Sequence, residues 1–218
     1  MMSNSVEEKF KILEDKIQQL EHDLERAQAV QEIQNLMSRY EYYHQPVTMD
    51  RTIELFAHKA PDVSVTTPGG TYVGIEQIRT IFTLILHEVP AGSMMEHHLT
   101  TPMIEIAKDG KTAKGVWYTP GHETLPALDP HAYWAWGKYS VDFIKEEGKW
   151  KIWHQRGYIT FRCRYDRSWV ETADPDPLMP RDTMYPPDRR DAVSTYYDPE
   201  AIRQMIPAPP DPYDTWQE

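Results

Sequence analysis

The sequence predicts an α+β fold in which helices come first and an antiparallel sheet follows. Apolar residues recur at three- and four-residue spacings through the first third of the chain, as amphipathic helices require. From about residue 97 the spacing changes to the alternation of strands, and Asp109-Gly110 is a strong hairpin signal. Helices followed by a meander of strands favour α+β. At 218 residues, the chain suits one domain with appendages.

The N-terminal segment carries a heptad pattern. Apolar residues separated alternately by four and three positions are Val6, Phe10, Leu13, Ile17, Leu20, Leu24 and Ala27. Glu, Lys and Gln lie between them, so one face of the helix is apolar and needs a partner. This face either lies on the chain's own domain or forms a contact in a homo-oligomer, a dimer or a trimer. We expect the contact between subunits.

After Ala27 the phase of the apolar pattern shifts, which predicts a second helix or a kinked continuation that enters the core and stops at Pro46. The apolar positions of this part are Val30, Ile33, Leu36, Met37 and Tyr40. The other expected elements are a helical turn at 52–56, a strand at 63–67, a turn at Gly69-Gly70, a helix at 75–86, strands at 103–106 and 113–118 around a turn at 108–111, a connection at 119–133, and strands at 136–144 and 150–161 around a turn at 147–148.

The C-terminal segment has a composition of its own. The last 47 residues hold ten of the eighteen prolines and no glycine. An extended chain of this kind loses little entropy when it becomes ordered, so we expect an arm that lies on the body of the protein or on a neighbouring subunit. The chain then divides into a heptad helix at 1–28, a domain at 29–170 and an arm at 171–218.

Composition restricts the partners and cofactors. The net charge is −11, with 34 acidic against 23 basic residues, whereas nucleic-acid binding depends on clustered cations. No apolar run reaches the ~18 residues that span a membrane, and we expect a cytoplasmic protein. Cys163 is the only cysteine and should pack as an apolar residue, and neither a CxxC pair nor an HExxH motif indicates a metal site. We expect a small molecule as partner, without cofactor, nucleic acid or membrane.

Two segments resemble the SnoaL-like, nuclear transport factor 2-like superfamily. Residues 31–40, QEIQNLMSRY, resemble the first core helix of that family, and residues 137–153 resemble its last two strands. The order of helix, short strand, helix and meander is also similar, over residues 5–165. The resemblance implies a cone-shaped barrel, in which a curved antiparallel sheet wraps around helices. Within the superfamily, the heptad-like first helix is most similar to that of bile-acid 7α-dehydratases.

The resemblance also implies an activity and site residues. Bile-acid 7α-dehydratases and similar enzymes of the superfamily eliminate a small group from a hydrophobic ring compound without metal or coenzyme, and the resemblance implies the same here. The family's helix tyrosine falls on Tyr40, its catalytic histidine on His97, and the aspartate that orients and charges this histidine on Gln45. Glutamine can orient a histidine by a hydrogen bond but cannot stabilise an imidazolium as a carboxylate does. His44, next to it, is a candidate for part of that role.

The residues themselves support His97 as a base. Histidine titrates near pH 7, which suits proton abstraction at neutral pH. His97 and His98 are neighbours on a predicted strand, so only one of them can face the concave side. Alternation with Leu99 and Thr101 selects His97. A core histidine bonded to the backbone is the alternative interpretation.

Other residues are candidates for substrate binding. Tyr43 shares a helix face with Tyr40, and it is expected to contact substrate together with His44 and Gln45. Trp117 is expected in the pocket wall. Plain core packing would also use these aromatic side chains.

The last strand supplies two more candidates. If it alternates from Ile152 without a bulge, His154 and Arg156 face the interior of the cone and contact substrate. A buried arginine needs an anion or several acceptors. Arg156 would then either stabilise an oxyanion or pair with Asp142 or Glu105.

The residues and the resemblance together predict a cofactor-independent lyase or dehydratase, in which His97 would abstract a proton with Tyr40 assisting. The resemblance implies that water or formaldehyde leaves a hydrophobic ring-bearing alcohol, such as an aromatic lignin-derived or polycyclic compound, since water is the family's usual leaving group and some superfamily members release formaldehyde from lignin-derived aromatic compounds. The connection at 119–133 and the arm around 185–187 should cover the pocket. An isomerase or polyketide-type cyclase would use the same pocket, and a non-catalytic ligand-binding or scaffold protein is the alternative outside enzymes.

Overall fold

The computed structural model describes residues 2–45, 47–84, 91–126, 129–171 and 186–216. In these ranges the predicted α+β class is confirmed. The helices are α1 (Met2–Tyr43), α2 (Met49–Ile53) and α3 (Ile75–Leu84), and the strands are β1 (Ser64–Thr67), β2 (Gly70–Val73), β3 (Met94–His97), β4 (Thr100–Ile106), β5 (Thr112–Leu125), β6 (Asp129–Glu146) and β7 (Lys149–Arg164). The helix ends expected at Pro46 and Leu86 lie outside the described residues. Within them, no helix has both the length and the apolar composition needed to cross a membrane.

Helix α1 is continuous over 42 residues. The predicted phase shift after Ala27 therefore moves the apolar side chains to another face of the same helix and does not begin a second helix. Every residue from 6 to 21 is exposed. The side chains of the C-terminal half that enter the core are Ala29, Ile33, Leu36, Met37 and Tyr40. The helix therefore has a projecting half and a buried half.

The strands form one curved sheet that does not close. Their order is β2-β1-β7-β6-β5-β3, and β4 pairs with the first half of β5. Neighbouring strands are antiparallel except for β1 and β7, which are parallel. The one parallel pair among the described strands arises because β1 belongs to the separate β1–β2 hairpin and not to the meander.

The hydrophobic core lies between the helices and the concave side of the sheet, here called the inner face. Buried inner-face residues include Val65, Val141, Phe143 and Ile152. The opposite side is called the outer face. This arrangement agrees with the expected cone. Cys163, the only cysteine, is buried as expected.

Residues 119–133 are not the connection that the sequence predicts, because β5 and β6 extend into this segment and pair there. Residues 127–128 lie outside the described part. The nitrogen of Pro120 faces the side where β5 changes its neighbour from β4 to β3, so the missing N–H removes no ladder bond. Pro126 lies in the turn, and Pro130 lies where the register shifts. The prolines therefore fall at positions that strands tolerate.

A β-bulge interrupts the alternation of β7. Phe143 of β6 pairs with Ile152, but its neighbour Asp142 pairs with His154, so Trp153 is an extra residue. One extra residue moves every following side chain to the other face until a second bulge restores the pattern.

The bulge corrects the prediction that His154 and Arg156 face the interior. Both side chains lie on the outer face, and Gln155 between them points inward and is buried. A second register shift leaves Thr160 as another extra residue and returns the following part of β7 to the original phase. The prediction was wrong because it assumed a strand without bulges.

The described part of the C-terminal arm, residues 186–216, lies on the chain's own body, as the first of the two expectations has it. It makes backbone hydrogen bonds to β2, to β7 and to the β4–β5 turn. The bonded pairs are Thr71 with Arg189, Tyr197 with Thr160, and Lys108 with Tyr213. Near its end, the Trp216 ring packs against His154 on the outer face.

The two halves of α1 should respond differently to loss of an isoleucine. Ile33 is fully buried, whereas Ile12 on the projecting half is 49% exposed. We expect Ile33→Ala to lower the free energy of unfolding by about 2–5 kcal/mol, because it removes buried methyl groups and leaves a cavity. Ile12→Ala is the matched control and should change it by less than about 1 kcal/mol. Urea unfolding measures both, and equal losses would contradict the described position of α1.

Candidate active site

His97 ends β3 and points into the interior. It pairs with Gly121 of β5, where a Cβ atom would lie 2.2 Å from the carbonyl oxygen of Glu96 and 2.7 Å from the His97 ring. Glycine at position 121 therefore allows β3 to approach β5 this closely. The backbone N–H of His97 donates to the carboxylate of Glu41 on α1. The predicted orientation of His97 is confirmed.

The His97 ring belongs to a buried chain of charged groups. Its Nε2 lies 3.0 Å from one carboxylate oxygen of Glu123 on β5. The other oxygen of Glu123 accepts a hydrogen bond from Nε of Arg162 on β7 at 2.7 Å. The side chains of His97, Glu123 and Arg162 are only 14%, 13% and 6% exposed. A carboxylate held between a histidine and an arginine keeps its charge compensated inside the protein.

The environment sets the protonation of this pair. Burial acts to raise the pKa of the Glu123 carboxyl, but the hydrogen bond and charge of His97 and the charge of Arg162 lower this pKa to about 2. Burial acts to lower the pKa of His97, but the hydrogen bond and charge of Glu123 and the charge of Glu41 shift it upward overall. Glu123 is therefore ionised at neutral pH and favours the imidazolium form of His97.

The pairing also selects the tautomer of His97. An ionised carboxylate can only accept, so Nε2 carries the hydrogen of the His97–Glu123 bond. The neutral ring then has its lone pair on Nδ1. This atom is buried, and within the described ranges of the chain nothing hydrogen-bonds to it. One basic nitrogen with a fixed orientation is thus available to take a proton from a bound molecule.

The ring of His44, directly after α1, lies beside His97 and contacts two further aromatic rings of the helices. The His44 ring lies with its centroid 6.0 Å from that of His97, 5.6 Å from that of Phe82 and 5.0 Å from that of Tyr40. His44 is itself buried. These neighbours provide flat, largely apolar surroundings on the helical side of the His97 ring.

Tyr40 is buried and its hydroxyl is engaged with two neighbours. It shares hydrogen bonds with the side chains of Gln155 and Tyr139. Burial raises the pKa of Tyr40, so its phenol stays protonated at neutral pH. Its ring stacks on His44, which lies between Tyr40 and His97. A role of Tyr40 in assisting proton transfer stays a prediction.

The side chain of Gln45 bonds to the backbone of β3 and not to the His97 ring. Its amide donates to the backbone carbonyl of Met95, two residues before His97. Gln45 therefore holds the strand, while Glu123, far from position 45 in sequence, holds the ring nitrogen. A contact of Gln45 to substrate stays a prediction.

The two remaining inner candidates have ordinary packing contacts. Tyr43 is half-buried beneath Arg51 of α2, with 5.7 Å between the guanidinium carbon and the ring centroid. Trp117 is buried with its edge against Phe143, and Gly115 beside it leaves room for the indole ring. For both residues a contact to substrate stays a prediction.

His154 and Arg156 form a separate cluster on the outer face. Asp142 accepts hydrogen bonds from both, each at 3.0 Å. Burial raises the pKa of Asp142, but its bonds to His154 and the charge of Arg156 lower it overall. Of the alternatives for Arg156, the structure therefore supports pairing with Asp142. This cluster does not contact His97.

The outer cluster borders a cavity of about 270 Å³ between the sheet and the arm. His154, Arg156 and Tyr158 line its floor, and Arg189 and Asp191 of the arm line its rim. The arm was expected to cover the pocket of His97 near residues 185–187. Residue 185 lies outside the described part, and Pro187 packs over Gly70 at the edge strand β2. Here the described arm covers the outer face.

The sequence predicts no metal site. In the described part of the chain, Glu96, His98 and His122 bring their potential ligand atoms within 4.8 Å of one another. Strand alternation places these side chains on the face opposite to His97. Two of the three are exposed. The chemistry derived from the His97 environment does not involve them.

Sequence reasoning missed Glu123, Arg162, Glu41 and Gln155. Glu123 was missed because three prolines near it predicted a connection in place of β5. Arg162 lies one residue beyond the expected end of the last strand, and Gln155 turns inward only because of the bulge. The one signal in the sequence was strand alternation, which places Glu123 on the same face of β5 as Gly121 and therefore on the face of His97.

Comparison with known proteins agrees with this architecture. The profile of the SnoaL-like domain matches residues 25–156, more than half of the chain. A comparison with curated proteins gave no match.

Three solved structures are similar. A type 2 hexachlorocyclohexane dehydrochlorinase (LinA) has a TM-score of 0.57 at 19% identity, covering 70% of this chain and 98% of that one. The type 3 enzyme from Novosphingobium barchaimii has a TM-score of 0.56 at 18% identity, covering 67% and 96%. A protein assigned as a scytalone dehydratase, from Novosphingobium aromaticivorans, has 0.55 at 16%, covering 66% and 92%. At these identities the likeness concerns the fold. From the profile match, the chain belongs to the SnoaL-like domain family.

Proposed function

We propose that the protein is a cofactor-independent lyase that removes a small group, water or formaldehyde, from a hydrophobic ring-bearing alcohol. The observation that carries the proposal is the buried His97–Glu123 pair on the inner face. Its geometry leaves Nδ1 of His97 with no hydrogen-bond partner among the described residues. An oriented imidazole of this kind suits a general base.

The proposed elimination of water begins with proton transfer to Nδ1 of His97 from the carbon next to the one that bears the hydroxyl group. The electron pair of that C–H bond forms the new C=C bond, the C–O bond breaks, and the proton leaves with the hydroxyl as water. For release of formaldehyde, His97 takes the proton of a primary hydroxyl group. The electron pair of the O–H bond forms the C=O bond of formaldehyde while the C–C bond breaks. The electron pair of the C–C bond stays on the carbon of the ring-bearing fragment, which takes the proton back from His97.

Glu123 and Arg162 support this base in different ways. Glu123 stabilises the imidazolium that forms when His97 takes a proton, since it supplies a full negative charge at 3.0 Å. Arg162 keeps Glu123 ionised in the buried site. In related enzymes an aspartate five residues after the tyrosine has this role. This chain has Gln45 at that position, and Glu123 takes over the role.

The surroundings of the base support a ring compound as substrate. His44 lies beside His97, and Phe82 and Tyr40 pack against His44. Aromatic surfaces of this kind bind flat apolar molecules. Two of the similar structures bear the names of a dehydrochlorinase and a dehydratase, which denote loss of hydrogen chloride and of water. An elimination is therefore the reaction class that the proposal extends to this chain.

The proposal is tested by incubating the protein with a panel of aryl and polycyclic alcohols. Mass spectrometry follows loss of water or formaldehyde, and a colour reaction traps free formaldehyde. We expect one of the two losses, without added metal or nucleotide. A product of unchanged mass would indicate an isomerase, and binding of the panel without turnover would contradict catalysis.

The base should be identifiable by comparing two neighbouring histidines. His97→Ala is expected to lower kcat by about 10²–10⁴-fold, because it removes the proton acceptor. His98 is exposed on the outer face, and His98→Ala should leave kcat within about threefold of the wild type. Steady-state kinetics on a converted alcohol measures both, with thermal unfolding as the control for folding. Equal losses would place the base at another residue.

Glu123→Gln should change both the rate and its pH dependence. The charge of Glu123 raises the pKa of His97, while burial lowers it, so removing the charge should lower the pKa of His97. The acid limb of the pH–rate profile should therefore move to lower pH, and kcat should fall because the imidazolium loses its counterion. The exposed Glu96→Gln is the matched control and should leave the limb in place. An unmoved limb in Glu123→Gln would show that this carboxylate does not control the base.

A further inference from the structure

The projecting half of α1 carries an apolar stripe that is exposed and that no part of the body among the described residues covers. Its members are each more than half exposed, and they are Val6, Phe10, Leu13, Ile17, Leu20 and Leu24. All residues from 6 to 21 are exposed, and at 1.5 Å per residue this segment extends about 24 Å. An exposed apolar stripe of this length marks a surface that binds a partner.

The body lies on the opposite side of α1 from this stripe. His22 and Arg26 bond to the carbonyl oxygens of Lys108 and Ile106 at 2.6 and 3.2 Å, and Ile33 enters the core on the same side. At about 100° per residue, positions 22, 26 and 33 lie roughly 180° from the stripe. Because α1 is one continuous helix, the body could pack on the stripe only if the contacts of His22, Arg26 and Ile33 were broken.

We propose that the stripe forms a parallel two-stranded coiled coil with a second copy of this chain. In heptad positions, Phe10, Ile17 and Leu24 occupy a, while Val6, Leu13, Leu20 and Ala27 occupy d. A β-branched residue at a with leucine at d favours two strands, as Ile17 does between Leu13 and Leu20. The a and d positions thus suit a self-complementary dimer seam.

The charges beside the stripe select the parallel orientation. Lys9 and Lys16 occupy g positions, and Glu14 and Glu21 occupy e positions. In a parallel dimer each g residue faces the e residue five positions later on the other helix, which pairs Lys9 with Glu14 and Lys16 with Glu21. In an antiparallel dimer g faces g and e faces e, which opposes lysine to lysine and glutamate to glutamate. Such pairs contribute little stability but decide orientation.

The dimer would connect subunit association to the helix that supports the active site. The same α1 that carries the stripe also provides Glu41, whose carboxylate binds the backbone of His97. In the parallel arrangement both bodies lie at the C-terminal end of the coil. The two sites are then complete within their own subunits.

Light scattering on the full chain tests whether a second copy of the chain packs on the stripe. We expect twice the chain mass for the wild type and one chain mass for Leu13→Asp/Leu20→Asp, which places charges in the seam. Ile12→Asp is the matched control, since Ile12 is exposed but lies off the stripe, and it should keep the double mass. A monomeric wild type, a triple mass, or a double mass for the Leu13→Asp/Leu20→Asp variant would overturn the proposal.

Disulfide cross-linking tests the orientation. In a parallel dimer the two copies of residue 6 meet at a d position, so oxidised Val6→Cys should run as a covalent dimer on a non-reducing gel. Lys11→Cys, at an outward b position, is the control and should stay monomeric on the gel. The native Cys163 is buried and does not compete. A dimer by light scattering in which Val6→Cys fails to cross-link would overturn the parallel arrangement.

Discussion

The ion pair between His97 and Glu123 is the interaction around which the interior is organised. Burying a charged pair is costly, and it persists only where each charge has partners. Glu123 has two, His97 at 3.0 Å and Arg162 at 2.7 Å. The three residues come from β3, β5 and β7, so the pairing needs the long strands to lie side by side at that end of the sheet. Gly121 and Glu41 then fix how closely β3 and α1 approach.

Two single-residue bulges in β7 separate the inner polar groups from the outer ones. Between Trp153 and Thr160 the side chains change faces, so Gln155 reaches Tyr40 inside while His154 bonds to Asp142 outside. The inner face also holds His97, whose Nδ1 has no hydrogen-bond partner in the part of the chain that the structure describes, and this suits chemistry. The outer groups are paired with one another and partly covered by the C-terminal arm, which suits stability. One strand thus serves both faces of the sheet.

Much of the fold could be predicted from the sequence because periodicity is local. The heptad of α1, the Asp109-Gly110 hairpin and the orientation of His97 all depend on neighbours in the chain. The carboxylate partner could not be predicted, because the pairing of β3 with β5 brings Glu123 to His97. The sequence did not indicate a strand there, since Pro120 lies in that part of β5. The predicted faces of His154 and Arg156 were wrong because no residue type near Trp153 indicates a bulge. Packing and register, which act over distance, decided these positions.

The central claim is that Glu123 holds Nε2 of His97 and leaves Nδ1 as the basic nitrogen. Nitrogen-15 NMR of the labelled imidazole, recorded above the pKa of His97, tests it directly, because the two ring nitrogens resonate differently when protonated and when bare. We expect the Nε2–H tautomer in the wild type and a loss of this preference in Glu123→Ala. An Nδ1–H tautomer, or one that Glu123→Ala leaves unchanged, would contradict the account.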